Sequence, residues 1–259
     1  MLALCLLPLG LALAKAPAPA SASPRLAIVI DDFGLTYPKD QPDADWMALR
    51  FPITFSVMPV SPRTRQAARM TLRSGHELMI HFPFDRYLAL SLPAGHVDPA
   101  DLAKVKALLA KAFAQIHGAK GLNNHQSLRA TANRPMMRAF MKLLKPRGVF
   151  FLDSRVGPHS VAYAEARAAG IPAASNSIFL DGHAEARARR LGGSALVAAI
   201  AADKATCEHY LRVAAALARR RGLAVAIGHH YYRGTFQCLS ELAPRLPGVR
   251  LVFASQAAR

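Results

Sequence analysis

The sequence predicts a single α/β domain built on a parallel sheet. Three observations carry this expectation. Six short, largely apolar runs have the hydrophobicity of strands covered on both faces. They are Leu26–Asp31, Ile53–Met58, Glu77–Phe82, Gly148–Asp153, Leu223–His229 and Val249–Ser255. Amphipathic, helix-like segments alternate with them. Acids and imidazoles stand at most of their C-terminal ends, where parallel α/β folds collect reactive groups.

In chain order, residues 1–23 read as a signal peptide and an Ala/Pro/Ser spacer, ahead of a domain over 24–259. The apolar run Leu2–Ala14 is short for a bilayer span, and Ala12-Leu13-Ala14 offers a small-x-small cleavage site. It lacks the Lys or Arg that usually precedes such a run. The first strand then ends in two adjacent acids, Asp31 and Asp32, within "IVIDDFG". Helices are expected at Arg63–Arg73 and from Asp98 to His117. In the latter, Asp98 is a plausible N-cap, Pro99 suits the first turn, and Gly118 closes the helix. "GLNNHQS" (121–127) reads as a polar turn. Further helices are expected at Arg134–Leu144 and Val161–Ala169, with one long or two short ones across Ser194–Arg221. No internal repeat or second linker interrupts this pattern.

Composition narrows the partners. Of 259 residues, 52% are apolar, enough for a sizeable core. There are 33 Lys and Arg against 16 Asp and Glu, a net charge of +17 that favours anionic partners. No dense basic block or aromatic-basic motif argues for nucleic acid, so the Arg residues read as scattered helix surface. No segment beyond the export run reads as transmembrane, so any membrane association runs through that signal alone. Removing the signal leaves Cys207 and Cys238. They could form one disulfide in an oxidising compartment, and they lack the CxxC spacing of a zinc ribbon.

The strand ends gather Asp31, Asp32, His81, Asp153 and His229, and the polar stretch adds Asn123, Asn124 and His125. Asp32, His81 and His125 together would offer two nitrogens and one oxygen to a divalent cation, the ligand type and count of a catalytic zinc site. Taken singly, each is more often a hydrogen-bonded structural residue. Phe82, Phe84, Tyr231 and Tyr232 could rim a sugar site, although aromatics more often simply pack.

"IVIDDFG", "GHELMIHFPFD", "GLNNHQS", "FFLDSR", "FLDGH" and "AIGHHYYRGT" resemble, in order and spacing, the divergent polysaccharide deacetylase family over roughly Arg25–Ser255. That family belongs to the polysaccharide deacetylase (carbohydrate esterase 4) superfamily. The resemblance implies a single-domain irregular (β/α) barrel. It further implies Asp31 as general base, Asp32 and His81 as ligands to a divalent metal such as zinc, an orienting pair Asp153 and Arg155, and His229 as general acid. The superfamily's second ligand histidine falls at Asp85, so the third ligand is either Asp85 or His125, with His125 favoured. Asp85, Asn123, Asn124 and His230 are expected to bind substrate.

The activity implied is export followed by metal-dependent removal of N-acetyl groups from an N-acetylated cell-envelope polysaccharide, peptidoglycan or its fragments above all. The chain would then be periplasmic or otherwise exported. The alternative is a non-catalytic glycan-binding or scaffolding protein on the same fold. A glycosidase using Asp31 and Asp153 would leave the histidines idle.

Overall fold

The computed structural model describes residues 23–36, 41–190 and 192–259; the expected signal segment lies outside them except for its last residue, Ser23. Nine parallel strands are described: β1 (Arg25–Phe33), β2 (Thr54–Val57), β3 (Glu77–Pro83), β4 (Gly121–His125), β5 (Phe150–Asp153), β6 (Ala173–Ser175), β7 (Ile178–Phe179), β8 (Leu223–His229) and β9 (Arg250–Val252). Their order is β6-β5-β4-β3-β2-β1-β8-β7, with β9 pairing the start of β1. β6 and β7 sit at opposite ends of that path, yet only Asn176 and Ser177 separate them in sequence. Three Cα steps reach about 11 Å at most. The sheet must therefore curl until its two edges nearly meet, and the expected irregular (β/α) barrel follows as a single domain.

The pleat sorts the side chains. Along β1, Leu26, Ile28 and Ile30 join the large core beneath the helices, while Ala27 and Val29 join the smaller cluster that fills the barrel. Met79 of β3, Leu152 of β5, and Val225 and Ile227 of β8 also point inward. Successive strand residues alternate faces, so Asp31, His81, Asn123 and His229 continue the inward rows at the C-terminal mouth.

Helices follow the expected positions. Asp98 Oδ1 accepts from Ala100 N (2.7 Å) and Asp101 N (3.3 Å), capping the helix Pro99–Gln115. The helices Thr64–Arg73, Arg134–Leu144 and Ala162–Ala168 match their amphipathic stretches. The last long segment is one helix, Gly193–Arg221. None of the described helices is long and apolar enough to cross a membrane. One expectation fails: "GLNNHQS" is not a turn, because Gly121–His125 forms β4, buried throughout between β3 and β5. The short β6 and β7 were not foreseen either, having too few residues for a period to show.

Cys207 on the long helix and Cys238 on the helix Arg233–Leu242 form a disulfide across a separation of 31 residues. Both are fully buried where these helices pack. Closing a loop of that length removes unfolded-state entropy, so replacing both cysteines by Ala is expected to cost about 2–4 kcal/mol. Denaturant midpoints of the wild type, with and without reductant, and of the double variant measure this. A midpoint indifferent to both changes would mean the bridge adds nothing.

Candidate functional site

The site begins with a backbone irregularity. Between Ile30 and Phe33 the β1–β2 register slips, so three steps on β1 match two on β2, from Ile30↔Phe55 to Phe33↔Val57. Asp32 occupies this bulge at φ 72°, in the left-handed region that Asp tolerates better than most residues. Regular alternation would send Asp31 inward and Asp32 towards the helices. The bulge re-aims Asp32, and both carboxylates reach the barrel mouth.

Three ligand-type atoms converge there. Asp32 Oδ1 lies 3.2 Å from His81 Nε2 and 3.0 Å from His125 Nδ1, and the two nitrogens are 3.0 Å apart. A tetrahedral ion with bonds of about 2.0–2.1 Å spaces its ligands by about 3.3–3.4 Å. The triad therefore fits a small divalent cation with slight expansion. Among the described residues, this is the group of three His, Cys, Asp or Glu side chains so arranged. All three are buried, and Asp32 Oδ1 receives no well-directed hydrogen bond. A cation would neutralise that oxygen. The chemistry of the donors suits zinc or a similar metal without singling one out.

Asn123 organises the neighbours. It stands opposite His81 in the β3–β4 ladder. Its Oδ1 accepts from Ser56 Oγ (2.7 Å) and faces His81 Nδ1 at 2.8 Å. An amide oxygen only accepts, so His81 carries its proton on Nδ1 and turns the Nε2 lone pair towards the triad. Asn123 Nδ2 meanwhile donates to both oxygens of Asp31, at 2.9 and 3.1 Å.

The two aspartates differ in proton affinity. Burial raises the Asp31 pKa, opposed by His81 and His229. For Asp32 burial acts in the same direction, but the close imidazoles of His125 and His81 outweigh it and hold the carboxyl well below the usual range. Burial lowers His125. In His81 burial acts likewise, yet Asp31 and Asp32 prevail and raise it. Two adjacent carboxylates thus differ in direction, Asp31 binding a proton more readily than an ordinary Asp and Asp32 less readily.

On the other side of β1, His229 pairs in register with Asp31. Its Nδ1 lies 2.5 Å from Asp181 Oδ2, and its backbone N–H points to Asp181 Oδ1 at 3.3 Å. Thr235 Oγ1 donates to Asp181 Oδ1 at 2.6 Å. Burial would lower the His229 pKa, but Asp181 dominates and it rises to about 10. Sequence reasoning quoted "FLDGH" without assigning Asp181 a part. The available signal was an acid following an apolar run, the same pattern that marked Asp31.

Several expected site residues lie elsewhere, mostly for reasons of pleat. Asp153 follows the inward Leu152, so it faces the helices. Its carboxylate accepts from Arg155 N (2.9 Å), Ser160 Oγ (2.7 Å) and Tyr163 N (3.2 Å). Arg155 contributes only that backbone N–H to the contact, and its side chain is exposed. The expected Asp153–Arg155 pair therefore does not hold Asp31; Asn123 does. Asn123 itself is fully buried, with protein partners on both ends of its amide, and is no surface for substrate. Asn124 points the other way and accepts from Ser154 N at 2.9 Å. Asp85 accepts from Arg129 N and Ala130 N, both at 2.8 Å, and caps the helix Leu128–Ala132 rather than joining the triad. His230 follows the inward His229 and is enclosed on the helix side, its ring 4.8 Å from that of Phe33. Phe82 and Phe84 pack with Phe140, and Tyr232 is buried. Of the four aromatics, Tyr231 alone keeps partial exposure beside His229, with ring centroids 5.6 Å apart.

Comparison with known proteins gives this arrangement a family. The family model described as divergent polysaccharide deacetylase matches residues 28–202. The chain is 29% identical over 233 residues to YibQ, an uncharacterized protein of Escherichia coli K12, covering 89% of this chain and 66% of that protein. It is 30% identical over 206 residues to an uncharacterized protein of Haemophilus influenzae, covering 79% and 66%. The chain thus spans 66% of the length of each of these two relatives. A crystal structure of an uncharacterized protein from Agrobacterium tumefaciens C58 superposes with a TM-score of 0.71 at 21% identity, over 93% of this chain and 91% of that one, a likeness of fold. The family match runs from β1 into the long helix and takes in both aspartates, His81, Asn123 and His125, and on that match the chain belongs to the divergent polysaccharide deacetylase family.

Proposed function

We propose that this chain is an exported, divalent-metal-dependent deacetylase that removes N-acetyl groups from a cell-envelope polysaccharide, peptidoglycan or its fragments. The observation that carries the reading is the division of labour made by Asn123. It donates to both oxygens of Asp31, which lies 3.6 Å from His81 Nε2 beside the triad, and it turns that same Nε2 towards Asp32 and His125. A module that only bound glycan would have no use for a buried proton acceptor beside a cation site.

A divalent cation held by Asp32, His81 and His125 would supply Lewis acidity and lower the pKa of water. Asp31, with raised proton affinity and both oxygens aimed by Asn123, takes the proton of the attacking water. His229, kept charged and oriented by Asp181, gives a proton to the departing amine. Export is supported by the buried Cys207–Cys238 bridge, since such bonds persist mainly in oxidising compartments. Domain limits of 24–259 after a removable 1–23 segment belong to the same reading.

Asp31→Asn is expected to cut acetate release about 10²–10⁴-fold while metal content stays near that of the wild type. Asp32→Asn, His81→Ala and His125→Ala should lose metal and activity together, whereas Asp85→Ala should keep the metal. Elemental analysis and acetate release from N-acetylated oligosaccharides, measured on the same samples, decide this. Metal lost with Asp31→Asn, or kept with His125→Ala, would overturn the assignment.

The pH dependence follows from His229. Its pKa in the folded chain, about 10, lies above the ordinary imidazole value. The stability from its charged contact with Asp181 is therefore full below about pH 6.5 and is lost as the pH rises towards 10. In Asp181→Asn the alkaline limb of kcat/KM should move down towards the ordinary imidazole range. A limb that stays in place would remove His229 from the role of acid.

A further inference from the structure

The barrel's seam holds a cavity that the triad does not use. It measures about 470 Å³, and its lining includes Arg155, Ser175, Asn176, Ser177, Phe179 and Arg221. That volume falls within the range of small-ligand sites. The cavity adjoins the candidate acid, because the Phe179 ring that walls it stacks on His229 with centroids 6.2 Å apart and planes 14° from parallel.

Its charge is one-sided. Arg155 and Arg221 are exposed, and neither guanidinium makes a hydrogen bond or ion pair among the described residues. No acid lines the cavity. Some arginines elsewhere do find carboxylates, Arg134 and Arg138 with Glu165 and Arg63 with Asp43, but 33 Lys and Arg outnumber 16 acids, so what sets Arg155 and Arg221 apart is that they line one cavity. The Ser175 hydroxyl likewise has no partner among the described residues, whereas the Asn176 amide and Ser177 hydroxyl are occupied by Ile178 N and Val225 N.

The backbone beside the cavity is held in an unfavourable form. Arg155 has φ 53°, a conformation that costs a non-glycine residue about 1–3 kcal/mol. The Asp153 side chain fixes it through Arg155 N, while Asn124 and Asn176 grip Ser154 from opposite sides, at 2.9 and 3.2 Å.

We propose that the seam cavity is an anion subsite for the glycan, with Arg155 and Arg221 as paired cations and Ser175 as a hydroxyl donor to a carboxylate or phosphate on the N-acetylated substrate. Guanidinium forks match both oxyanions. The inference rests on the deacetylase reading for its substrate but not for its binding chemistry, which can be measured alone.

The test is equilibrium binding by calorimetry in the Asp31→Asn background, with metal loaded, to three probes: a neutral N-acetylglucosamine tetramer, a carboxylate-bearing peptidoglycan fragment and a phosphorylated N-acetylated oligosaccharide. At low salt at least one anionic probe should bind about tenfold more tightly than the neutral one, and Arg155→Ala or Arg221→Ala should each shrink that ratio towards one. The advantage should fall as salt rises, and Arg155→Lys should recover part of it. Comparison of the carboxylated and phosphorylated arms tells which oxyanion is read. Thermal melts confirm that the variants fold. A ratio near one in the parent protein, or one unaffected by both replacements, overturns the subsite. If no probe yields acetate with the unmutated chain but Arg155-dependent binding persists, the deacetylase reading fails and the subsite stands. If acetate is released from neutral and anionic probes at equal kcat/KM, independent of both arginines, the subsite fails and the deacetylase stands.

Discussion

One buried carboxamide holds the candidate site together. Asn123 is fully enclosed, and its amide leaves no freedom of assignment. Its nitrogen must face Asp31, which only accepts, so its oxygen must face His81 and Ser56. The orientation of the Asp31 carboxylate and the tautomer of the candidate ligand His81 thus depend on the same side chain. Partial loss of such a network is costly, because each buried group left without a partner carries its desolvation penalty in full. The bulge at Asp32 is the counterpart of this clamp. Its left-handed backbone is strained, and that conformation is what brings Asp32 to the point where His81 and His125 converge.

Much of this was legible in the residues. Apolar runs located β1, β3 and β8, and an N-cap with a following proline located the helix Pro99–Gln115. The triad was legible as chemistry, since two imidazoles and a carboxylate at strand ends have few other uses. β4 was hidden because its inward residues are polar: "GLNNH" has the composition of a turn, and only the partners waiting on β1, β2 and β3 make it a buried strand. Tertiary pairing overrode local propensity there. The misplaced residues have a simpler cause. Asp153, Asn124 and His230 each sit one position from an inward residue, and alternation sends them to the helix side. Period two was enough to separate them, whereas proximity in sequence to a functional position was not.

Curvature does the rest. β1 and β4 are three strands apart, a separation of about 14 Å across a flat sheet. Yet Asp32 Oδ1 and His125 Nδ1 lie 3.0 Å apart. Side chains of that size cannot bridge the distance unless the sheet bends inward, so barrel formation and ligand convergence are one geometric event. Drawing the third ligand from β4 also changes what a cation would do. A second histidine four residues after His81 would keep the ligands to two segments, whereas His125 spreads them over β1, β3 and β4. A cation bound there would tie the mouth across its width. Without one, Asp32 is a buried anion facing imidazoles whose own proton affinities burial and charge push in opposite directions. The free energy of metal binding would then be partly folding free energy of the barrel mouth, and the strain at Asp32 would be offset at the place where the cation sits.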